Sequence, residues 1–163
     1  MNFASKPALA AWIVGGVVLD QISKVIARAI LVPGEATDHL GGLFRVQLVQ
    51  NHGAFLGLGG KMPEFARQAL LIGGVGLFVV GLLWYVFFSK TANNATRIAS
   101  AWVAAGGIGN LIDRILFQGG VTDFWNVGIG GLRTGIFNVA DMYITFAVIY
   151  MILDSFRKPK EQA

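Results

Sequence analysis

The stretch from Gly109 to Asp141 carries G-N-L-I-D-R (Gly109 to Arg114), V-T-D-F (Val121 to Phe124) and F-N-V-A-D (Phe137 to Asp141), which set acids and amides beside long apolar runs. Just upstream, Ile98 to Phe117 is largely apolar and includes Gly106, Gly107 and Gly109. Such a run predicts a spanning helix whose glycines admit close backbone contact with a neighbour. Downstream, the chain is apolar again from Asp141 to Leu153, which predicts another. An ionised carboxylate in hydrocarbon costs on the order of 2.5 to 3.5 kcal/mol even on the gentlest scale, so acids placed there usually mark a working site.

The rest of the chain fits the same solvent. It has 163 residues, 55% of them hydrophobic and 13% charged, with a mean hydropathy of +0.62. That is too apolar for a water-soluble domain of this size and points to one polytopic membrane unit, residues 1–163. The net charge of +4 raises the question of nucleic acid. The basic residues, however, gather at the chain's ends and around Lys90 to Arg97, where membrane orientation explains them better. The absence of cysteine excludes a thiol nucleophile, a disulfide and a thiolate metal site.

Four spans are predicted, at about 8–32, 70–88, 98–117 and 136–156. The first begins after Lys6-Pro7 and stops at Pro33-Gly34; about 25 residues at 1.5 Å each cross the hydrocarbon with some tilt. Its basic start, apolar core and Ala27-Arg28-Ala29 also imitate a cleaved signal peptide. Cleavage there would leave three spans with the two ends on opposite sides, so the spanning reading is preferred. Between the first two spans, Phe44, Val46 and Leu48 alternate with Arg45, Gln47 and Val49 before a glycine-rich segment. This predicts a small extramembrane β segment at about 35–60. Lys61 to Gln68, with Pro63 near its start, reads as a short interfacial helix. The glycine-rich F-W-N-V-G-I-G-G-L-R-T-G that follows Asp123 reads as a mobile flap or, preferably, a slack connection. Lys6, Lys90, Arg97, Arg157, Lys158 and Lys160 fall on one side, which the positive-inside rule makes the cytoplasm. Both termini are then inside, with 35–68 and 118–135 outside.

Counted from the cytoplasmic ends, Asp20, Lys24, Asn110, Asp113, Arg114, Asn138 and Asp141 all reach the outer half of the membrane. One shared site is the economical account. Blander readings stand beside it. Asp20 and Lys24 are four apart and can form an intrahelical ion pair. Asn110 can tie its helix to a neighbour, and Asp113 with Arg114 can be scaffold. Asn138-x-x-Asp141 resembles a capping box. His39 and His52 lie in no two-histidine helix motif and read as surface residues, so no metal is expected. The Ser-Lys neighbours (Ser5-Lys6, Ser23-Lys24, Ser89-Lys90) point about 100° apart on a helix, which leaves no preassembled serine–lysine pair. What remains is two carboxylates sharing a proton and activating a water by general acid–base catalysis. The residues alone leave open which two of Asp20, Asp113, Asp123 and Asp141 form the pair. Two rival classes are a small proton-coupled carrier and a non-enzymatic lipid-binding scaffold.

Over essentially its whole length the chain resembles the lipoprotein signal peptidases, also called signal peptidase II. The resemblance rests on D-Q-I-S-K (Asp20 to Lys24), N-H-G-A-F (Asn51 to Phe55), G-N-L-I-D-R, V-T-D-F and F-N-V-A-D, in that order. It implies a bacterial inner-membrane aspartyl endopeptidase with four spanning helices and a small periplasmic sheet. Such an enzyme cuts the signal peptide from a prolipoprotein just before the diacylglyceryl-modified cysteine. By resemblance the catalytic pair is Asp123 and Asp141. Asp20, Lys24, Asn51, Gly53, Asn110, Asp113, Arg114, Asn138 and Ala140 would bind substrate or shape the site. No cofactor is implied. The expected partners are prolipoproteins and membrane lipid, the expected state is a monomer, and the expected location of the site is toward the periplasmic face.

Overall fold

The computed structural model describes residues 3–53 and 63–156. Helix α1 (Lys6–Ile30) starts with Pro7 in its first turn, where the missing N–H costs nothing, and ends two residues short of the expected stop. After the sheet's first two strands, α2 (Glu64–Gln68) does not stand apart as the separate interfacial helix expected there. It runs through a π-helical turn (Ala69–Gly74) into α3 (Val75–Phe88), so that Glu64–Phe88 is one 25-residue helix. No proline or capping residue stands between Gln68 and Leu70 to break it. The part of that expected helix at residues 61 and 62 lies outside the described residues, as do the Ala54-Phe55 end of N-H-G-A-F and the basic tail from Arg157.

The polar loop after α3 is stitched by Arg97, which donates to the carbonyls of Val86, Ser89 and Ala92. Helix α4 (Asn94–Leu116) is capped by Asn93, whose Oδ1 accepts from Thr96 N at 2.7 Å. It ends where Gln118 and Gly119 take positive φ and the Gly119 N–H folds back onto Arg114 O at 2.8 Å. That reversal throws the chain into the sheet. Helix α5 (Val139–Ser155) starts later than expected, because Phe137 is extended and pairs with Trp125.

Four antiparallel strands lie in the order β1 (Ala36–His39), β2 (Phe44–Asn51), β3 (Val121–Ile129) and β4 (Leu132–Arg133). The stretch after Asp123 is therefore no slack connection. Val121–Ile129 is a central strand that turns at Gly130-Gly131 into β4. Opposite Phe124 the β2 strand bulges, two of its residues facing one of β3: the register runs Val49 to Asp123 and then Val46 to Trp125. A bulge bends a strand and re-aims its side chains, and this one sits next to Asp123.

One cluster of buried apolar residues joins Leu9 and Ile13 of α1, Val86 of α3, and Ala101 and Ala104 of α4. A second joins Ala27, Phe124 and Val139, pressing the sheet onto α1 and α5. The glycines of α4 act as the sequence suggests. A Cβ at Gly106 would meet Ala140 O at 2.4 Å, and one at Gly107 would meet Val79 Cγ2 at 2.8 Å. Outward, Val14, Val18, Val25, Leu77, Val80 and Ile152 are exposed. An apolar outer surface on helices with a polar cluster inside is stable in lipid, not in water. By length and composition, Lys6–Ile30 and Glu64–Phe88 are helices that can cross a membrane.

Candidate active site

Asp123 comes from β3, and Asp141 from the first turn of α5. Both line one cavity of about 940 Å³, together with Asn51, Gly53, Asn110 and Arg114. Three asparagines hold the acids. Asn51 Nδ2 donates to Asp123 Oδ2 at 2.9 Å, and Asn138 Nδ2 donates to Asp123 Oδ1 at 2.6 Å. Asn110 Nδ2 donates to Asp141 Oδ1 at 2.9 Å, while the Asn138 backbone N–H donates to Asp141 Oδ2 at 3.2 Å. Asn138 Nδ2 also reaches Asn110 Oδ1 at 3.0 Å. The two carboxylates are thus ends of one chain of amide hydrogen bonds. Each of their oxygens keeps further lone-pair capacity for the cavity.

Asn138 is a capping residue and a bridge at once. Its Oδ1 accepts from Asp141 N at 3.0 Å, completing the capping box, while its Nδ2 serves Asp123 and Asn110. The capping-box reading of Asn138-x-x-Asp141 therefore holds, and the same side chain also reaches Asp123. Burial pushes the Asp123 carboxyl up to about 7. The Asn51 amide opposes the rise and the charge of Asp141 adds to it.

The remaining predicted residues divide into cavity wall and backing. Arg114 faces the cavity, donating from Nη2 to Gly53 O at 3.3 Å, and its buried Nε has no hydrogen-bond partner among the described residues. Among the described residues it makes no ion pair with Asp113. Successive helical side chains diverge, and Asp113 turns toward Lys24 at 3.6 Å and Arg28 at 3.9 Å. Asp20 and Lys24 form the expected ion pair at 2.9 Å, with both side chains inaccessible to solvent. Lys24 Nζ also donates to Asn110 Oδ1 at 3.0 Å. Asp20, Lys24 and Asp113 do not line the cavity and stand behind it. Ala140 is fully buried at the start of α5. His52 lines the cavity rim, whereas His39 is exposed on β1. Among the described residues, no group of three or more His, Cys, Asp or Glu could hold a metal.

Gln21 was not singled out by its sequence. Its Nε2 donates to Asp20 Oδ2 at 3.1 Å, Asp113 Oδ1 at 3.3 Å and Gly109 O at 3.0 Å. The available signal was its spacing of three from Lys24, which puts both on one face of α1.

The family described as Signal peptidase (SPase) II matches residues 12–157. The lipoprotein signal peptidase of Syntrophus aciditrophicus is 34% identical over 161 residues, covering 97% of this chain and 99% of that protein. That of Borrelia hermsii is 32% identical over 150 residues, covering 88% and 87%. The fold is similar to a bacterial membrane enzyme whose structure was obtained by the in meso method at 2.3 Å resolution. The TM-score is 0.79 at 25% identity, over 97% of this chain and 95% of that one. Since the matched segment contains every residue of the acid-lined cavity and its backing cluster, this integral membrane chain belongs to the signal peptidase II family.

Proposed function

We propose that Asp123 and Asp141 are the catalytic pair with which this signal peptidase hydrolyses the bond before the lipid-modified cysteine of a prolipoprotein. The observation that carries this reading is the amide chain from Asp123 through Asn138 and Asn110 to Asp141, on the wall of one cavity. Two acids so placed do not both ionise easily, so one proton is shared between them. Asp141, in the first turn of α5, accepts from Asn110 Nδ2 and the Asn138 backbone N–H and faces the cavity. Asp123, pushed up to about 7, is the better proton carrier. In this assignment Asp141 takes a proton from a water, which attacks the scissile carbonyl, while Asp123 protonates that carbonyl oxygen. The proton gained by Asp141 then passes to the leaving amine as the C–N bond breaks, and one hydroxyl proton of the collapsing diol returns to Asp123. No covalent enzyme intermediate forms. Arg114, with donor capacity to spare in the wall, is suited to hold a substrate carbonyl or lipid oxygen.

The four helices are read as four spans, with both termini in the cytoplasm of a bacterial inner membrane and the sheet outside. A cysteine whose acyl chains stay in the leaflet presents its peptide bond near the interface, and a site beside the sheet suits that depth. The working unit is read as a monomer acting on prolipoproteins within membrane lipid, without metal or nucleic acid. A proton carrier would instead need acids spaced along a path, whereas Asp20, Asp113, Asp123 and Asp141 gather in one hydrogen-bonded region.

The test uses purified protein in detergent with diacylglyceryl-modified and unmodified precursors, with and without chelator. Wild type should cut the modified precursor before the cysteine, chelator or not. Asp123→Asn and Asp141→Asn should each lower turnover at least about 10³-fold while staying folded. Wild-type turnover in either variant removes that residue from the pair, and loss of cutting with chelator returns the metal reading.

A further inference from the structure

Behind the cavity the structure repeats one device on two sides. Asp113 Oδ2 accepts the backbone N–H of Thr122 at 2.8 Å, the residue just before Asp123. Asp20 Oδ1 accepts the backbone N–H of Ala140 at 2.9 Å, the residue just before Asp141. These two backing carboxylates are tied to each other from α1. Lys24 Nζ lies 2.9 Å from Asp20 Oδ2 and 3.6 Å from Asp113 Oδ2, and Gln21 Nε2 donates to both. From the geometry we infer that Gln21 and Lys24 are positioning residues: two crossbars that hold Asp20 and Asp113 at a fixed separation and, through Ala140 and Thr122, fix the separation of Asp141 and Asp123.

Lys24 acts by a second route as well. Its ammonium and the Asn138 amide both donate to Asn110 Oδ1, so the Asn110 amide is locked with its NH₂ toward Asp141. The close approach this needs is built into the backbone, for a Cβ at Gly109 would stand 2.4 Å from Asp20 Oδ2. Stability alone is a poor reason for such a cluster. Apolar residues of similar volume commonly stabilise a core as well as or better than buried ion pairs. What an apolar replacement does not supply is an acceptor aimed at each of two chosen N–H groups. Reacting groups displaced by 1 Å can lose about 100-fold in rate, so fixing the two elements that carry the acids matters more to turnover than to folding.

This inference rests on Asp123 and Asp141 being the reacting pair, and the experiment separates the two claims. Gln21→Leu keeps the side chain's bulk and removes the crossbar together with the bond to Gly109 O. It should lower kcat about tenfold, with KM within about twofold and the melting temperature in detergent nearly unchanged. Lys24→Met should lower kcat about 100-fold or more. Adding Gln21→Leu to it should cost less than the product of the two losses, because both act through the same carboxylates. Should Lys24→Met fail to fold, Asp113 decides. Asp113→Asn keeps an acceptor for Thr122 N–H and should retain kcat within about tenfold, whereas Asp113→Ala should not. Wild-type kcat in Gln21→Leu, losses that track only the folded fraction, or equal losses for the Asn and Ala variants overturn the inference. If Asp123→Asn is inactive while Gln21→Leu is normal, only the crossbars fail. If Asp123→Asn still turns over, the catalytic pair itself is wrong.

Discussion

At the scale of single residues, the role proposed for Asp123 predicts how the enzyme answers to pH. Its carboxyl is pushed up to about 7, first by burial and then, against the pull of the Asn51 amide, by the charge of Asp141. If Asp123 works protonated, kcat/KM should fall as pH rises through about 7, approaching tenfold per unit beyond it, which a pH–rate profile measures. A profile flat from pH 6 to 9 removes Asp123 as the proton donor. Stability carries the same signature. Between the ordinary carboxyl value and about 7 the native chain holds a proton that the unfolded chain releases, so stability declines as pH climbs through that window. An asparagine at this position does not titrate. Asp123→Asn should therefore melt higher than wild type at pH 8, and the gap should close toward pH 4. A constant gap across that range contradicts the raised carboxyl.

At the scale of elements, the junction of β3 with α5 is where scaffold and chemistry share atoms. Phe137 O accepts from Phe124 N and Trp125 N, which docks the start of α5 on the strand and delivers Asn138 between the two acids. Asn138 then caps the helix through Oδ1 and spans to Asp123 through Nδ2. Substitution separates these duties. Asn138→Ser can still cap, but it unpairs the Asp123 and Asn110 oxygens and should cost about 1–3 kcal/mol in stability while losing at least about tenfold in kcat. Asn138→Ala loses both, at a further cost of about 1 kcal/mol read from detergent melting or denaturant titration. Equal stability for Ser and Ala would mean that the cap contributes nothing. This junction also marks how far the sequence can be read. The capping box, the Asp20–Lys24 pair and the glycines of α4 depend on neighbours within one helix turn or on residue size, and all were visible in spacing. Strand β3 was not, because it pairs with β2 some seventy residues away. Its glycines, Gly128, Gly130 and Gly131, read as slackness, although Gly130-Gly131 between Ile129 and Leu132 is also a two-residue hairpin turn. The direction of Asp113 and the part played by Gln21 depend on how α1 and α4 face each other, which no local pattern encodes.

At the scale of the whole molecule, the cluster's depth follows from helix arithmetic. Asp20 lies fourteen residues beyond Lys6 along α1, about 21 Å at 1.5 Å per residue, toward the far side of a core about 30 Å thick. Asn110, near the end of α4, and Asn138, at the start of α5, meet it there together with the sheet. Polar groups from three helices and two strands thus converge at one end of the helices, while the outer faces of the helices are apolar. In the proposed topology the sheet and the α3–α4 loop lie on opposite sides of the membrane, and Lys90 and Arg97 favour the cytoplasm for the loop. Arg45 and Arg133 on the sheet side make the charge difference moderate, so orientation calls for a direct measurement. Because the chain contains no cysteine, single thiols can be introduced on a silent background. Leu132→Cys stands on the exposed β3–β4 hairpin, and Thr91→Cys on the exposed α3–α4 loop. A membrane-impermeant maleimide applied to intact spheroplasts should label Leu132→Cys, and should reach Thr91→Cys only after the membrane is opened. The reverse pattern would put the acid cavity on the cytoplasmic side, away from a substrate whose lipidated cysteine lies in the outer leaflet, and the proposed placement of the reaction would have to be given up.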